Sequence, residues 1–303
     1  MNPLTSKEIP HSGFLLINKH RGITSSDLVL KIKRILKLKK IGHTGTLDKN
    51  AEGLMILPFG NYTSFSSILL GQDKAYLAEI LPGKSTDSGD LDGNFIEEWE
   101  EAKVREVFEK NSDVWRNEFN EILKWKTQIP PKISAIKNAG KRQSDLFRKN
   151  IEFEDRIRDI NILSLNLEHW SSLCIRFQIR VSSGTYIRKI AIDLSEKWGI
   201  PLVIQKLKRT EIGDLTLEEA STLNEISEGK LPKFYSLDEI LQMDKVEVTY
   251  PEERKILNGN FIQMDHVPHS DFLLINQDNK ILAWANGEGS GIYKYKKVFS
   301  NPN

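Results

Sequence analysis

Gly42-His43-Thr44-Gly45-Thr46-Leu47-Asp48-Lys49-Asn50-Ala51-Glu52-Gly53 crowds three glycines and two threonines around one aspartate, Asp48. Glycine permits positive φ and close backbone approach. A loop of this make-up can set a carboxylate at the floor of a cleft that a large ligand enters, and loops on a rigid scaffold are where catalytic residues concentrate. Taken alone, Asp48 reads equally well as an ordinary turn or N-cap aspartate.

Upstream, Gly13–Lys19 reads as a short buried strand. Thr24-Ser25-Ser26-Asp27 is a helix-start signal, with Thr24 as cap and Asp27 reaching back. Leu28, Val29, Ile32, Ile35 and Leu36 then share one helical face, and Lys31, Lys33, Arg34 and Lys37 occupy the other.

Downstream, Leu54–Phe59 is a second apolar run, Ala75–Leu81 reads as a strand carrying Tyr76, and Gly83–Gly93 reads as a turn-rich loop. The charged, amphipathic region 97–126 predicts a helix, broken by Pro130-Pro131. Ser134–Lys149 is polar and basic and reads as a mobile arm. Leu173, Ile175, Phe177, Ile179 and Val181 alternate with polar residues, which predicts a strand with one core face. After a turn at 182–185, Ile187, Ile190, Ala191, Leu194 and Trp198 mark a helix stopped by Gly199 and Pro201. Arg188 falls in its first turn, where a cation opposes the helix dipole. If buried there it needs an anion, and Asp48 is a candidate. From Lys245 onward, short apolar runs punctuated by turns predict a small β-rich module.

The chain has 303 residues, 39% hydrophobic and 28% charged, ordinary for a globular protein with a real core. No apolar run approaches the ~20 residues of a membrane span, and Met1–Pro10 is polar, so a cytoplasmic protein is expected. Cys174 is the only cysteine and the six histidines are scattered, which excludes an intrachain disulfide and argues against a metal site. The net charge of +1 hides an uneven distribution. Residues 1–50 hold ten Lys/Arg against three acids, and 128–150 hold six against one, whereas Asp87–Glu121 is acidic. Local basic surfaces suit a polyanion held at a defined place, although a charge run alone reads more simply as a solvated face.

In order along the chain, Gly13-x-Leu15-x-Ile17-Asn18-Lys19, the Gly42–Gly53 loop, Asp73-Lys74-x-Tyr76, Thr86-Asp87-Ser88-x-Asp90, Pro130-Pro131-x-x-Ser134-Ala135-x-Lys137-x-x-Gly140, Gly184-Thr185-Tyr186-Ile187-Arg188 and Leu207-x-Arg209 resemble the blocks of the TruB-type family, the bacterial tRNA pseudouridine synthase B enzymes. The resemblance covers about residues 10–215. It departs at His20 and Lys49, where the family usually has proline, and at Ser144, Leu146 and Phe147, which replace the aromatic and small residues of the family's thumb.

The resemblance implies an α+β protein: a pseudouridine synthase fold with a mixed, largely antiparallel sheet flanked by helices, plus a C-terminal PUA-like RNA-binding module. The expected division is a catalytic domain over 10–244, with a thumb at about 128–150, and the module over 245–303. It implies isomerisation of the T-loop uridine at tRNA position 55, without cofactor or metal, by a cytoplasmic monomer that binds the tRNA T arm and needs no obligate protein partner or membrane. Asp48 would be the carboxylate. It can attack as a nucleophile, or abstract a sugar proton and stabilise a cationic sugar. Arg188 would pair with it, since a nearby cation favours an ionised acid. Tyr76 would stack on the uracil and relay the C5 proton.

Lys19, Tyr186 and Leu207 would contact the substrate, and His43 would fill the space vacated by the extruded base. Lys31, Arg34, Lys132, Lys137, Lys141 and Arg142 would hold RNA phosphates. The competing expectation is a tRNA-binding folding helper without chemistry. A single apparent catalytic carboxylate argues against a small-molecule glycosidase, which usually needs two.

Overall fold

The computed structural model describes residues 9–133, 137–138, 141–142, 151 and 156–299, with only the backbone of 137, 138, 141 and 142. An eight-stranded sheet forms its centre. Seven strands follow one path, in the order Ile162–Ser171, Cys174–Val181, Lys74–Pro82, Leu202–Ile212, Glu52–Phe59, Gly13–Lys19 and Ser221–Thr222; the eighth, Leu215–Thr216, pairs beside Leu202–Ile212. Leu202–Ile212 runs parallel to Glu52–Phe59, and Gly13–Lys19 parallel to Ser221–Thr222; the other pairings are antiparallel. The sheet is therefore mixed and largely antiparallel, as expected.

The middle strands are apolar throughout because both faces of the sheet are covered. Successive side chains of a strand point to opposite faces. Leu15, Ile17, Met55 and Leu57 enter a core with the helices Ser25–Ile35, Glu101–Asn120 and Ile187–Trp198. Phe14, Leu16, Leu54 and Ile56 enter a second core with Phe65, Tyr235, Leu273, Trp284 and Phe299. Trp284 lies 5.1 Å from Phe65, ring centre to ring centre, so the C-terminal β module docks on the sheet face opposite those three helices.

That module is a four-stranded sheet ordered Asp244–Glu247, Asp271–Ile275, Ile281–Gly287 and Tyr293–Val298. It has its own core around Phe272, Leu274, Leu282 and Tyr293. It also contains a helix, Tyr250–Leu257, which the β-rich expectation missed; a capping box of Thr249 and Glu252, with Pro251 in the first turn, starts it. Leu173 is a second correction: it sits in the turn between two strands and is 51% exposed. The helix expected over 97–126 spans Glu101–Asn120, because Phe95–Glu98 instead pairs with Lys84–Thr86 as a hairpin. Most of the arm at 134–149 lies outside the described residues. Among the described residues no helix is long and apolar enough to cross a membrane.

Candidate active site

The Gly42–Gly53 loop links the helix Ser25–Ile35 to the strand Glu52–Phe59 and is pinned on several sides. Ser25 Oγ donates to the carbonyl of Leu47 and accepts from its amide, both at 2.9 Å. Thr44 N donates to Ile56 O, and Gly22 N to Lys49 O. Leu47 and Ala51 are buried on either side of Asp48. Gly53 has φ +112, and a Cβ there would lie 2.2 Å from the Arg209 carbonyl oxygen, so only glycine fits this strand pairing. The loop thus holds Asp48 on a rigid base.

Arg188 reaches Asp48 from the first turn of the helix Ile187–Trp198. Its Nε donates to Asp48 Oδ2 at 2.8 Å and its Nη2 to Asp48 Oδ1 at 3.2 Å, a bidentate fork. The Arg188 side chain is 5% exposed and that of Asp48 41%, so the carboxylate is gripped on one side and open on the other. Nη1 donates to Ser88 O at 2.6 Å, and Nη2 to Ile133 O at 3.1 Å. Asp90 Oδ2 lies 3.4 Å from Arg188 Nε. Asp90 is held by Ser88 Oγ at 2.8 Å and the Asp92 amide at 3.0 Å, and burial pushes its carboxyl above the usual range while Arg188 opposes the shift. Two carboxylates therefore answer one buried guanidinium.

The open side of Asp48 faces a cavity of about 460 Å³. Tyr76, Tyr186, Ile187, Leu207, Arg188, Lys74, Arg209, Arg158 and Thr185 help to line it. Strand register explains the grouping. Tyr76 stands opposite Arg209 on the neighbouring antiparallel strand. Lys74 and Leu207 are each two residues away from these, on the same face. Tyr186 caps the Arg188 helix, and its amide and carbonyl are both bonded by the Gln128 side chain.

Asp48, Tyr76, Arg188, Tyr186 and Leu207 are thus brought together. Lys19 is placed elsewhere: its Nζ lies beneath the loop, donating to the carbonyls of His20, Ile23 and Lys49, and burial lowers its pKa to about 8. It supports the loop and does not line the cavity. His43 is half-buried outside that lining, with no hydrogen-bond partner for Nδ1 among the described residues, and burial lowers its pKa. Lys31, Arg34 and Lys132 are exposed; Lys132 directly precedes Ile133, whose carbonyl Arg188 holds. The side chains of Lys137, Lys141 and Arg142, and the residues Ser134, Ala135, Gly140, Ser144, Leu146 and Phe147, lie outside the described residues.

Four charged residues of the site had no role assigned from sequence: Asp90, Lys74, Arg209 and Arg158. The first three lie in the family-like blocks, beside assigned residues; Arg158 lies in none of them.

Residues 33–187 match the TruB family pseudouridylate synthase (N terminal domain). The chain is 45% identical over 302 residues to a tRNA pseudouridine synthase B of Leptospira interrogans, covering 98% of this chain and 96% of that one. It is 32% identical to a tRNA pseudouridine synthase B of Listeria welshimeri, with 93% of each chain covered. Among solved structures, a chain of a Cbf5–Nop10–Gar1 complex shares the fold, with a TM-score of 0.64 at 18% identity over 97% of this chain and 88% of that one.

Proposed function

The chain belongs to the TruB family of pseudouridylate synthases, and from that premise we propose that it isomerises uridine to pseudouridine at position 55 in the T loop of tRNA, with Asp48 as the reacting carboxylate. The observation that carries this reading is the bidentate Asp48–Arg188 pair at a cavity whose wall presents Tyr76 and Leu207.

The reaction breaks the N1–C1′ bond, turns the uracil and joins C5 to C1′. The C5 proton is lost and N1 ends protonated, so atoms balance without a redox partner. Asp48 meets the sugar, either at C1′ as nucleophile or at a sugar C–H as base. Arg188 fixes both carboxylate oxygens, so the open side of the group is already oriented when substrate arrives. Tyr76 stacks on the uracil, and its hydroxyl relays the C5 proton. The uridine must leave the folded loop to reach this cavity, at a cost of a few kcal/mol offset by stacking and phosphate contacts. Lys31, Arg34 and Lys132 supply such contacts at the surface, in a cytoplasmic protein acting as a monomer. The catalytic domain is 10–244, and 245–303 is the PUA-like RNA-binding module.

Incubation with unmodified T-arm RNA tritiated at uridine C5 tests the reading. Tritium release with stoichiometric pseudouridine is expected. Tight RNA binding with no release would support a folding helper instead.

A further inference from the structure

Lys74 and Arg209 line the same cavity as Asp48, yet both are almost sealed from solvent. Lys74 Nζ donates to Leu70 O at 2.7 Å and to Gln72 O. Arg209 donates from Nε to Leu54 O at 2.7 Å and from Nη2 to Gly45 O at 3.5 Å. Among the described residues neither forms an ion pair with an acid, in contrast to Arg188 with Asp48 and Asp90. A lysine has three donors and an arginine five, so carbonyls alone leave donors unused on both.

Two like charges held under cover without an ion pair are costly. Burial, with Arg209 nearby, lowers the Lys74 pKa to about 8 against the opposing field of Asp73, the sign of that cost. One side of the cavity is thus acidic, with two carboxylates around one arginine, and the other is cationic. A uracil ring can accept hydrogen bonds from the cationic side through its carbonyl oxygens but brings no countercharge. A phosphodiester of the same nucleotide brings one, and short charge-assisted hydrogen bonds with it.

Resting on the function proposed above, we infer that Lys74 and Arg209 form an anion subsite that holds a backbone phosphodiester flanking the extruded uridine and so sets its sugar against Asp48. Strand register fits this role. Arg209 opposes Tyr76 across the sheet and Lys74 precedes Tyr76 by two residues, so both cations share one sheet face with the ring that would stack on the base. The main-chain carbonyls fix the position of each cation before RNA arrives, and the phosphate replaces solvent as the missing partner.

The test neutralises the phosphate rather than the protein. T-arm RNAs carry one uncharged methylphosphonate, either immediately 5′ or immediately 3′ of the target uridine. Binding and pseudouridine formation are measured with the full chain, as wild type and as Lys74→Met. One of the two substitutions is expected to weaken wild-type binding about tenfold. Lys74→Met should bind the unsubstituted RNA more weakly, and the same methylphosphonate should then cost it less than about twofold, the non-additivity of a shared contact. Indifference of the wild type to both methylphosphonates overturns the subsite, and so does an equal penalty in wild type and Lys74→Met. The wild-type comparison stands even if the variant does not fold. Wild-type protein that converts no uridine in the unsubstituted RNA overturns the proposed function and the subsite with it. Conversion of that RNA with indifference to both substitutions overturns the subsite alone.

Discussion

Arg188 opposes the dipole of its own helix and is almost fully buried, so it persists only because Asp48 and Asp90 face it. Its value to Asp48 is geometric, since a fork fixes both carboxylate oxygens whereas an ammonium holds a point. Arg188→Lys should therefore lower kcat about a hundredfold, the scale of a small misplacement of a reacting group, while RNA binding changes little; near-normal turnover would remove the pair from the mechanism. Lys19 gives a second residue-scale expectation. The folded protein loses the Lys19 proton near pH 8 and the unfolded chain near 10.5. Between those values the unfolded state binds more protons, so this group makes stability rise with pH. The Tm of wild type minus that of Lys19→Met should increase from pH 8 to 10.5; a flat or falling difference in a thermal-melt series would contradict it. The Asp48–Arg188 pairing was legible because an arginine in a first turn demands an anion. The burial of Lys74 and Arg209 with no ion pair among the described residues, and the approach of Asp90 to Arg188, were not, because they arise from long-range packing that spacing does not encode.

At the scale of elements, the Asp48 loop depends on how closely the strand Glu52–Phe59 can approach Leu202–Ile212. Their parallel pairing sets Gly53 beside Arg209, with φ +112 and no room for a Cβ. Gly53→Ala should cost about 3 kcal/mol through strain and displaced backbone. Urea unfolding measures it, and a loss below about 0.5 kcal/mol would show that the loop yields instead. Strands and helices around the site were readable from alternation and 3.6-residue periodicity. The helix Tyr250–Leu257 went unread, although Thr249-x-x-Glu252 with Pro251 is a start signal, because its eight residues fall among strand-like runs. Leu173 was misplaced because an apolar residue continuing an alternating pattern looks the same in the strand and in the turn that precedes it.

Across the whole molecule, the apolar middle strands match a sheet covered on both faces, by helices on one and largely by the C-terminal module on the other. The sequence showed the apolar runs but not what covers them, since contacts such as Phe65 with Trp284 join residues far apart in the chain. Charge follows the same logic: a net charge of +1 conceals basic residues placed around one cavity. The proposed function rests on one carboxylate, Asp48, acting on one nucleotide. The most direct measurement is single-nucleotide mapping of pseudouridine in full-length unmodified tRNA after treatment with wild type and with Asp48→Asn, alongside tRNA affinity for both. Pseudouridine at position 55 alone with wild type, none with Asp48→Asn, and tRNA binding largely retained by the variant, is the predicted result. Modification at position 55 by Asp48→Asn, or wild-type modification only elsewhere, would contradict it.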